Sequence, residues 1–367
     1  MLIIDAHLDL AWNALQWERD LLQSVHTIRV QENHMPGKGR AQGTVAIPEL
    51  RRGRVALCFA TLLARSTGRP VSQLDYASPV QCYGVAQGQL AYYAALEREG
   101  HARVITRLAA LDHHVAEWDA WEPACRAGAG EVPPVGLVIS MESADPILAP
   151  SQLPAWWEAG LRILGPAHYG AGRYAGGTGS EVGLTALGRS LLVEMERLGM
   201  ILDLSHFSDG AFWEALEQYS GSVLASHNNC RALVPHQRQF SDEQLGAIFQ
   251  RNGVVGVALD AWMLRPGWII GCSAGEQVSL ADVVDHIDHI CQLAGNSCHA
   301  AIGSDLDGGF GREQCPHDLD TITDLQKLVS LLADRGYAAD DIAAIMHGNW
   351  LRLLRRSWST VNGRSRA

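Results

Sequence analysis

Six side chains that can bind a metal or carry a proton close six short apolar runs of this chain. His7 ends LIIDAH (2–7), Glu142 ends VGLVISME (135–142) and His168 ends LRILGPAH (161–168). His206 ends GMILDLSH (199–206), His227 ends SVLASH (222–227) and Asp305 ends AAIGSD (300–305). Imidazole and carboxylate suit zinc and similar borderline divalent ions. Asp9 stands two residues beyond His7, and residues two apart along a strand point the same way. His7 and Asp9 can therefore face one ion.

Taken singly, each residue has a plainer explanation. A buried strand-end histidine usually satisfies only a hydrogen bond, and a strand-end aspartate often caps the next helix. Their shared placement carries the argument. Three histidines and two carboxylates (His7, Asp9, Glu142, His206, His227) exceed the three protein ligands of a simple catalytic zinc, so two ions are expected. Two metals about 3.5–4 Å apart need a bridging anion. The only lysines are Lys38 and Lys327, neither at a strand end, so a carboxylated lysine cannot serve. Glu142 is left as the bridge, with His7 and Asp9 on one ion and His206 and His227 on the other.

The elements that must hold these groups follow from the same runs. VALCFATLL (55–63) and GVVGVALD (253–260) bring the candidate strands to eight; VALCFATLL alone does not end on His, Glu or Asp. Helical patterns fill the intervals, notably 183–199, 241–253 and 279–295, each with a Ser/Thr-type start or a Gly-type stop. Amphipathic helices over 318–336 and 340–356 close the chain. Eight strands alternating with helices predict a parallel sheet, and the number eight predicts a (β/α)8 TIM-like barrel of the metal-dependent hydrolase type. Such barrels carry catalytic groups at the C-terminal ends of their strands. A single domain over 1–367 is expected, with the helices of 318–356 packed on it. The glycine-rich stretch 169–181 reads as a mobile loop at the site.

Composition narrows the function classes. The chain has 29 basic and 40 acidic residues, a net charge of −11, which argues against nucleic-acid or anionic-membrane partners. No apolar run approaches the roughly 18–20 residues of a membrane span, and the start lacks the basic region of a signal peptide. The eight cysteines form no CxxC pair, which predicts reduced thiols and a cytoplasmic protein.

The segments IDAHLDL (4–10), SMESAD (140–145), GLTALGRSLLVEMERLGMILDLSH (183–206), VLASHNNCRAL (223–233), QRQFSDEQLGAI (237–248), GVVGV (253–257), AIGSDLDG (301–308) and HGNWLRLLRR (347–356) run nearly the whole chain. In their order they resemble the membrane (renal) dipeptidase family of binuclear zinc peptidases. The resemblance implies two zinc ions bridged by a glutamate, with His7, Asp9, Glu142, His206 and His227 matching the ligands. It implies that His168 helps bind substrate and stabilise the tetrahedral intermediate. Arg231 matches an arginine near the substrate's C-terminal carboxylate, and Asp305 an aspartate at the eighth strand. Members cleave dipeptides, some with a D-residue second, and are often homodimers. Two places depart from the family. Pro166-Ala167-His168-Tyr169-Gly170 replaces a Thr-His-Asn block, and ALDAWMLRPGW (258–268) lacks the usual asparagine and aromatic. Asp260 and Trp262 are thereby expected on a pocket wall.

The expectation is a zinc dipeptidase. A metal-bridging hydroxide attacks the scissile carbonyl, Glu142 bridges the ions, His168 donates to the oxyanion and Asp305 transfers the proton. Arg231 and Asp260 meet the small peptide substrate. The changed pocket wall keeps an alternative open, a binuclear-metal amidase or lactonase acting on a small N-acyl amine or ester. A non-catalytic binding barrel would have no reason to keep all five ligands and Asp305.

Overall fold

Strands of a parallel sheet are covered on both faces and so read as unbroken apolar runs. The structure, a computed structural model, bears this pattern and describes residues 1–68, 71–126, 132–273 and 277–364. Every residue of β2 (Val55–Leu63) and β4 (Val135–Glu142) is buried. The other strands are β1 (Ile3–Leu8), β3 (Ala102–Val104), β5 (Leu161–Gly165), β6 (Ile201–Asp203), β7 (Val223–Leu224), β8 (Val255–Val257) and β9 (Ala300–Ile302).

All ladders are parallel. They join β1 to β2, β2 to β4, β4 to β5, β5 to β6 and β6 to β7, while β8 pairs with β9. Each expected strand is present, several of them shorter than the apolar run that announced it. The runs go on past the ladders into irregular backbone, and that extension carries the polar ends. β3 is an addition to the expected set. It pairs with the first residues of β4, Ala102 opposite Val135, on the side that β5 takes only from Ile139 onward. Three residues, one of them buried, left no pattern to read.

The expected ring is seen as a seven-stranded and a two-stranded parallel sheet. The bridge between Ala225 and Val255 ties the chain after β7 to β8. No ladder joins β9 to β1 among the described residues. There Ser304 N donates to Asp5 Oδ1 (2.9 Å), which also accepts from His7 N (3.1 Å). A carboxylate thus spans the seam where strand bonds would run.

Helix boundaries follow capping chemistry. Helix Asp242–Gln250 starts on a capping box between Ser241 and Gln244. Helix Ala186–Leu198 starts on Thr185 and stops at Gly199, whose φ of 75° is the left-handed geometry that glycine tolerates. The C-terminal segment differs from the two plain helices expected. Residues Ile322–Gln326 form a 3₁₀ turn before helix Lys327–Asp334, and a π-helical turn at Ala344–Gly348 precedes helix Asn349–Arg364. Asn349 Nδ2 donates to Ser297 O and Ala300 O, and Trp350 Nε1 donates to Ile302 O (2.9 Å). This helix is therefore clamped to β9.

Two glycines set how closely β8 and β9 approach the chain that leads into His227. A Cβ on Gly256 would lie 2.0 Å from Ser226 O, and one on Gly303 only 1.7 Å from it. Backbone cannot yield as a flexible side-chain tip can. Gly303→Ala is expected to lower stability by about 1–3 kcal/mol or more and to reduce bound metal by displacing His227. Urea unfolding with metal analysis checks this; a wild-type midpoint with full metal content would refute it.

Candidate metal and active site

Each polar strand end is aimed by local backbone. His7 lies in β1. Asp9 occupies the N-cap position of helix Leu10–Leu15 but makes no capping hydrogen bond, so its carboxylate remains available. Glu142 is the last residue of β4. His206 and Asp305 follow β6 and β9 with φ of 66° and 58°. Non-glycine residues seldom adopt that left-handed geometry, and where they do it commonly serves a site.

The ligand atoms converge. His7 Nε2 lies 3.8 Å from Asp9 Oδ1, 3.6 Å from Glu142 Oε2 and 3.8 Å from Asp305 Oδ1. Glu142 Oε1 lies 3.1 Å from His206 Nε2 and 3.3 Å from His227 Nε2. Two triads share Glu142: His7, Asp9, Glu142 and Glu142, His206, His227, each with ligand atoms within 4.8 Å of one another. A third triad joins His7, His227 and Asp305. His7 Nε2, Asp9 Oδ1 and Glu142 Oε1 are buried without a hydrogen-bond partner. An unpartnered buried polar atom costs about 1–3 kcal/mol, so such a group of lone pairs fits a cation. The far ring nitrogens are held: His206 Nδ1 by Thr178 Oγ1 (3.1 Å) and His227 Nδ1 by Ser226 Oγ (2.8 Å). That is the support metal-bound imidazoles usually have.

Electrostatics agree. Burial, and then the nearby Asp9 and Asp305, push the Glu142 carboxyl well above the usual range. Burial raises Asp9 to about 7, and burial with Asp9 and Asp260 raises Asp305. Burial, with Arg238 behind it, lowers His7 to about 3 and holds His206 well below its usual value. The imidazoles are thus held neutral, the form a metal ligand needs, and a cation would relieve the repulsion among the carboxylates.

His168 and Asp305 flank this cluster. His168 Nε2 is 3.7 Å from Glu142 Oε2, and its Nδ1 faces Arg65 Nη1 at 2.8 Å. Asp305 sits over Gly308, where a Cβ would reach its Oδ1 at 1.9 Å. Asp307 holds the turn from below, accepting from Thr44 N, Thr44 Oγ1, Val45 N and Arg19 Nη1. Backbone hydrogen bonds fold the glycine-rich stretch after His168 back on itself. Thr178 N donates to His168 O (2.9 Å), and Gly170 N to Thr178 O (2.8 Å). Its glycines allow close approach: a Cβ on Gly177 would meet His168 O at 1.7 Å.

Arg231 is placed elsewhere than expected. Its guanidinium forms a bidentate pair with Asp209 (2.9 and 2.7 Å), and its Nε donates to Gln239 O. It does not line the cavity, because the Asp209 pair and the turn at 237–240 occupy it. The cavity, of about 380 Å³, is lined instead by Arg65 and Arg238 beside Asp9, Glu142, Asp260 and Asp305. Arg238 is only 2% exposed; it donates to His227 O (2.7 Å) and to Asn228 Oδ1. It lies in a turn without periodicity, and its only sequence trace was the QRQF stretch. Asp260 lines the cavity as Trp262 does. Its carboxylate accepts from Trp262 Nε1 and Gln314 Nε2, both at 2.7 Å, and burial raises its carboxyl to about 7. Lys38, set aside as a metal bridge, stands at the mouth over Phe310.

Comparisons with known proteins bear on this geometry. The sequence profile of membrane dipeptidases (peptidase family M19) matches residues 1–365. A protein of Klebsiella pneumoniae encoded in the pqqA 5' region is 32% identical over 214 residues, 56% of this chain and 76% of that protein. The dipeptidase aclJ of Aspergillus oryzae is 33% identical over 208 residues, also 56% of this chain; the match spans about half of its length, 47%. The crystal structure of a metallo peptidase from Rhodobacter sphaeroides, bound to a phosphinate mimic of the dipeptide L-Ala-D-Ala, superposes with a TM-score of 0.73. It is 25% identical, with 98% of this chain and 99% of that one covered.

Metal and protons should compete for these groups. A carboxyl raised from 3.8 to about 7, as at Asp9, supports the metal-free fold below pH about 4 and loses that support as pH rises through about 7. A bound ion removes the repulsion that then appears. Zinc is therefore expected to raise the melting temperature of metal-free protein more at pH 8 than at pH 5.5. Calorimetry giving equal shifts at both values would refute this.

Proposed function

The chain belongs to the membrane dipeptidase family, peptidase family M19, and we propose that it is a zinc-dependent dipeptidase. The observation that carries the reading is the pair of triads sharing Glu142 at the floor of the cavity. Two zinc ions would be held there, one by His7 and Asp9, the other by His206 and His227. When bound, such ions polarise a carbonyl and bring the pKa of a coordinated water down towards about 7.

The chain's own groups do the rest. His168 Nε2 faces the Glu142 side of the cavity and donates to the carbonyl oxygen as charge develops there. Asp305, beside His7 Nε2, takes a proton at its carboxylate and returns it to the leaving amine. The fork of Arg238 binds the substrate's terminal carboxylate, a bidentate geometry that favours short peptides. Asp260, Trp262 and Gln314 form the wall against the substrate's side chain. A cavity of about 380 Å³ suits a dipeptide, and the mimic of L-Ala-D-Ala bound by the similar Rhodobacter sphaeroides peptidase supports including L,D-dipeptides.

The reading extends to the frame. The sheets are read as one (β/α)8 barrel over 1–367, closed by the Ala225–Val255 bridge and the Asp5–Ser304 contact. The helix Asn349–Arg364 is part of it through its clamp on β9. A cytoplasmic setting without membrane or nucleic acid partners is proposed from the cysteine spacing and the acidic balance of the sequence. No described helix is long and apolar enough to cross a membrane. A homodimer rests on the family resemblance alone.

Zinc-loaded protein offered L,L- and L,D-dipeptides alongside N-acyl amino acids and lactones is expected to cleave the dipeptides. Turnover confined to the acyl amines or lactones would establish the amidase or lactonase alternative instead. Asp305→Asn should keep its metal and lose about 10²–10⁴-fold in kcat; wild-type turnover would remove Asp305 from the mechanism. Arg238→Met should raise KM about 10–100-fold, the worth of a charged hydrogen bond, whereas Arg231→Met should lower the melting temperature and leave KM alone. The opposite pattern would return the carboxylate to Arg231.

A further inference from the structure

We infer that Arg65, anchored by Asp75, holds the proton of His168 on Nε2 and thereby makes His168 a donor to the reacting carbonyl. The inference rests on the dipeptidase reading of this site. β2 ends on no His, Asp or Glu; the polar group it brings to the cavity is Arg65, two residues past its last residue.

Arginine has N–H donors and no acceptor. Its Nη1 lies 2.8 Å from His168 Nδ1, so Nδ1 must accept. A neutral imidazole carries one proton, and that proton is then on Nε2. Nε2 is the nitrogen that faces the cavity, 3.7 Å from Glu142 Oε2. The other tautomer would set an N–H against the guanidinium and aim a lone pair at a developing oxyanion. Both changes oppose catalysis.

Arg65 is not free to turn away. Its Nε donates to Asp75 Oδ2 at 3.0 Å. Asp75 is 4% exposed and accepts as well from Thr67 N and Thr67 Oγ1. The backbone closes around the pair: Arg65 N donates to Leu74 O and Tyr76 N to Arg65 O. Tyr169 packs edge-on against His168, with ring centroids 5.1 Å apart, and beneath the Arg65 guanidinium. Asp75, Arg65 and His168 form a line of fixed donors and acceptors that ends at the reacting atoms. Arg65 is a positioning residue; His168 is the group that touches substrate.

Arg65→Met is expected to lower kcat by about 10²–10³-fold, as loss of an oxyanion donor does. Zinc content should stay unchanged, and KM for a dipeptide should stay within about threefold. Affinity for a phosphinate dipeptide analogue should fall in parallel with kcat/KM. Arg65→Lys should recover part of the loss. Arg65→Met with kcat within about threefold of wild type would overturn the inference. So would a raised KM at full kcat, which would make Arg65 a substrate ligand. ¹⁵N-histidine NMR of the wild-type protein, assigned by difference against His168→Asn, does not depend on a variant at Arg65. It should show protonated Nε2 and bare Nδ1, and the reverse tautomer would overturn the inference. If His168→Asn itself keeps full kcat, the role of His168 falls and this inference with it. If His168→Asn loses turnover and Arg65→Met does not, only the inference falls.

Discussion

Buried lone pairs facing one another without a hydrogen-bond donor between them are the constraint on which this structure depends. Glu142 Oε1 lies within 3.3 Å of two imidazole nitrogens, and with His7 Nε2 and Asp9 Oδ1 it lacks a hydrogen-bond partner. Burial alone disfavours the charged form of each carboxylate, and their mutual repulsion adds to it. An apolar core of the same shape would be more stable than this cluster without an ion. Such a grouping persists in a fold only because a cation repairs it, and the repair couples metal binding to stability.

The surrounding scaffold is arranged to hold that cluster still. Asp5 ties β1 to the chain after β9 with one carboxylate oxygen. Asp307 gathers four donors from Thr44, Val45 and Arg19 and fixes the turn that presents Asp305. Gly256 and Gly303 let β8 and β9 close on Ser226 O, next to His227. Remote residues thus fix the backbone that presents the site groups, where a misplacement of about 1 Å can cost about 10²-fold in rate.

The cavity divides into a floor of groups able to bind metal and walls of a different character. The floor draws on imidazole and carboxylate from the strand ends. The walls carry Arg65, Arg238, Asp260 and Trp262 from the connections beyond the strands. Connections tolerate change better than strands do, so a fold can alter substrate choice there while its metal chemistry stays intact. Asp260, oriented by Trp262 and Gln314, lies in one of the two places where this chain departs from the pattern it otherwise resembles.

The groups that converge at the cavity floor were legible in the sequence because strand periodicity and strand ends are local properties. His7, Asp9, Glu142, His206, His227 and Asp305 each announced themselves at the edge of an apolar run, and the chain order of those runs implied a parallel sheet. β3 escaped because three residues carry no period. In the stretch 169–181 glycine marks both freedom and close approach, and the approach of Gly177 to His168 O is visible only in the tertiary structure. Arg231 and Arg238 are indistinguishable by residue type and lie seven residues apart; which of them faces the cavity depends on Asp209, donated by a distant helix. Residue type and spacing therefore determined the chemistry available to this protein. Partner choice among long charged side chains, the orientation of Arg65 towards His168 and the shape of the cavity were decided only by the tertiary structure, since each depends on atoms brought together from far along the chain.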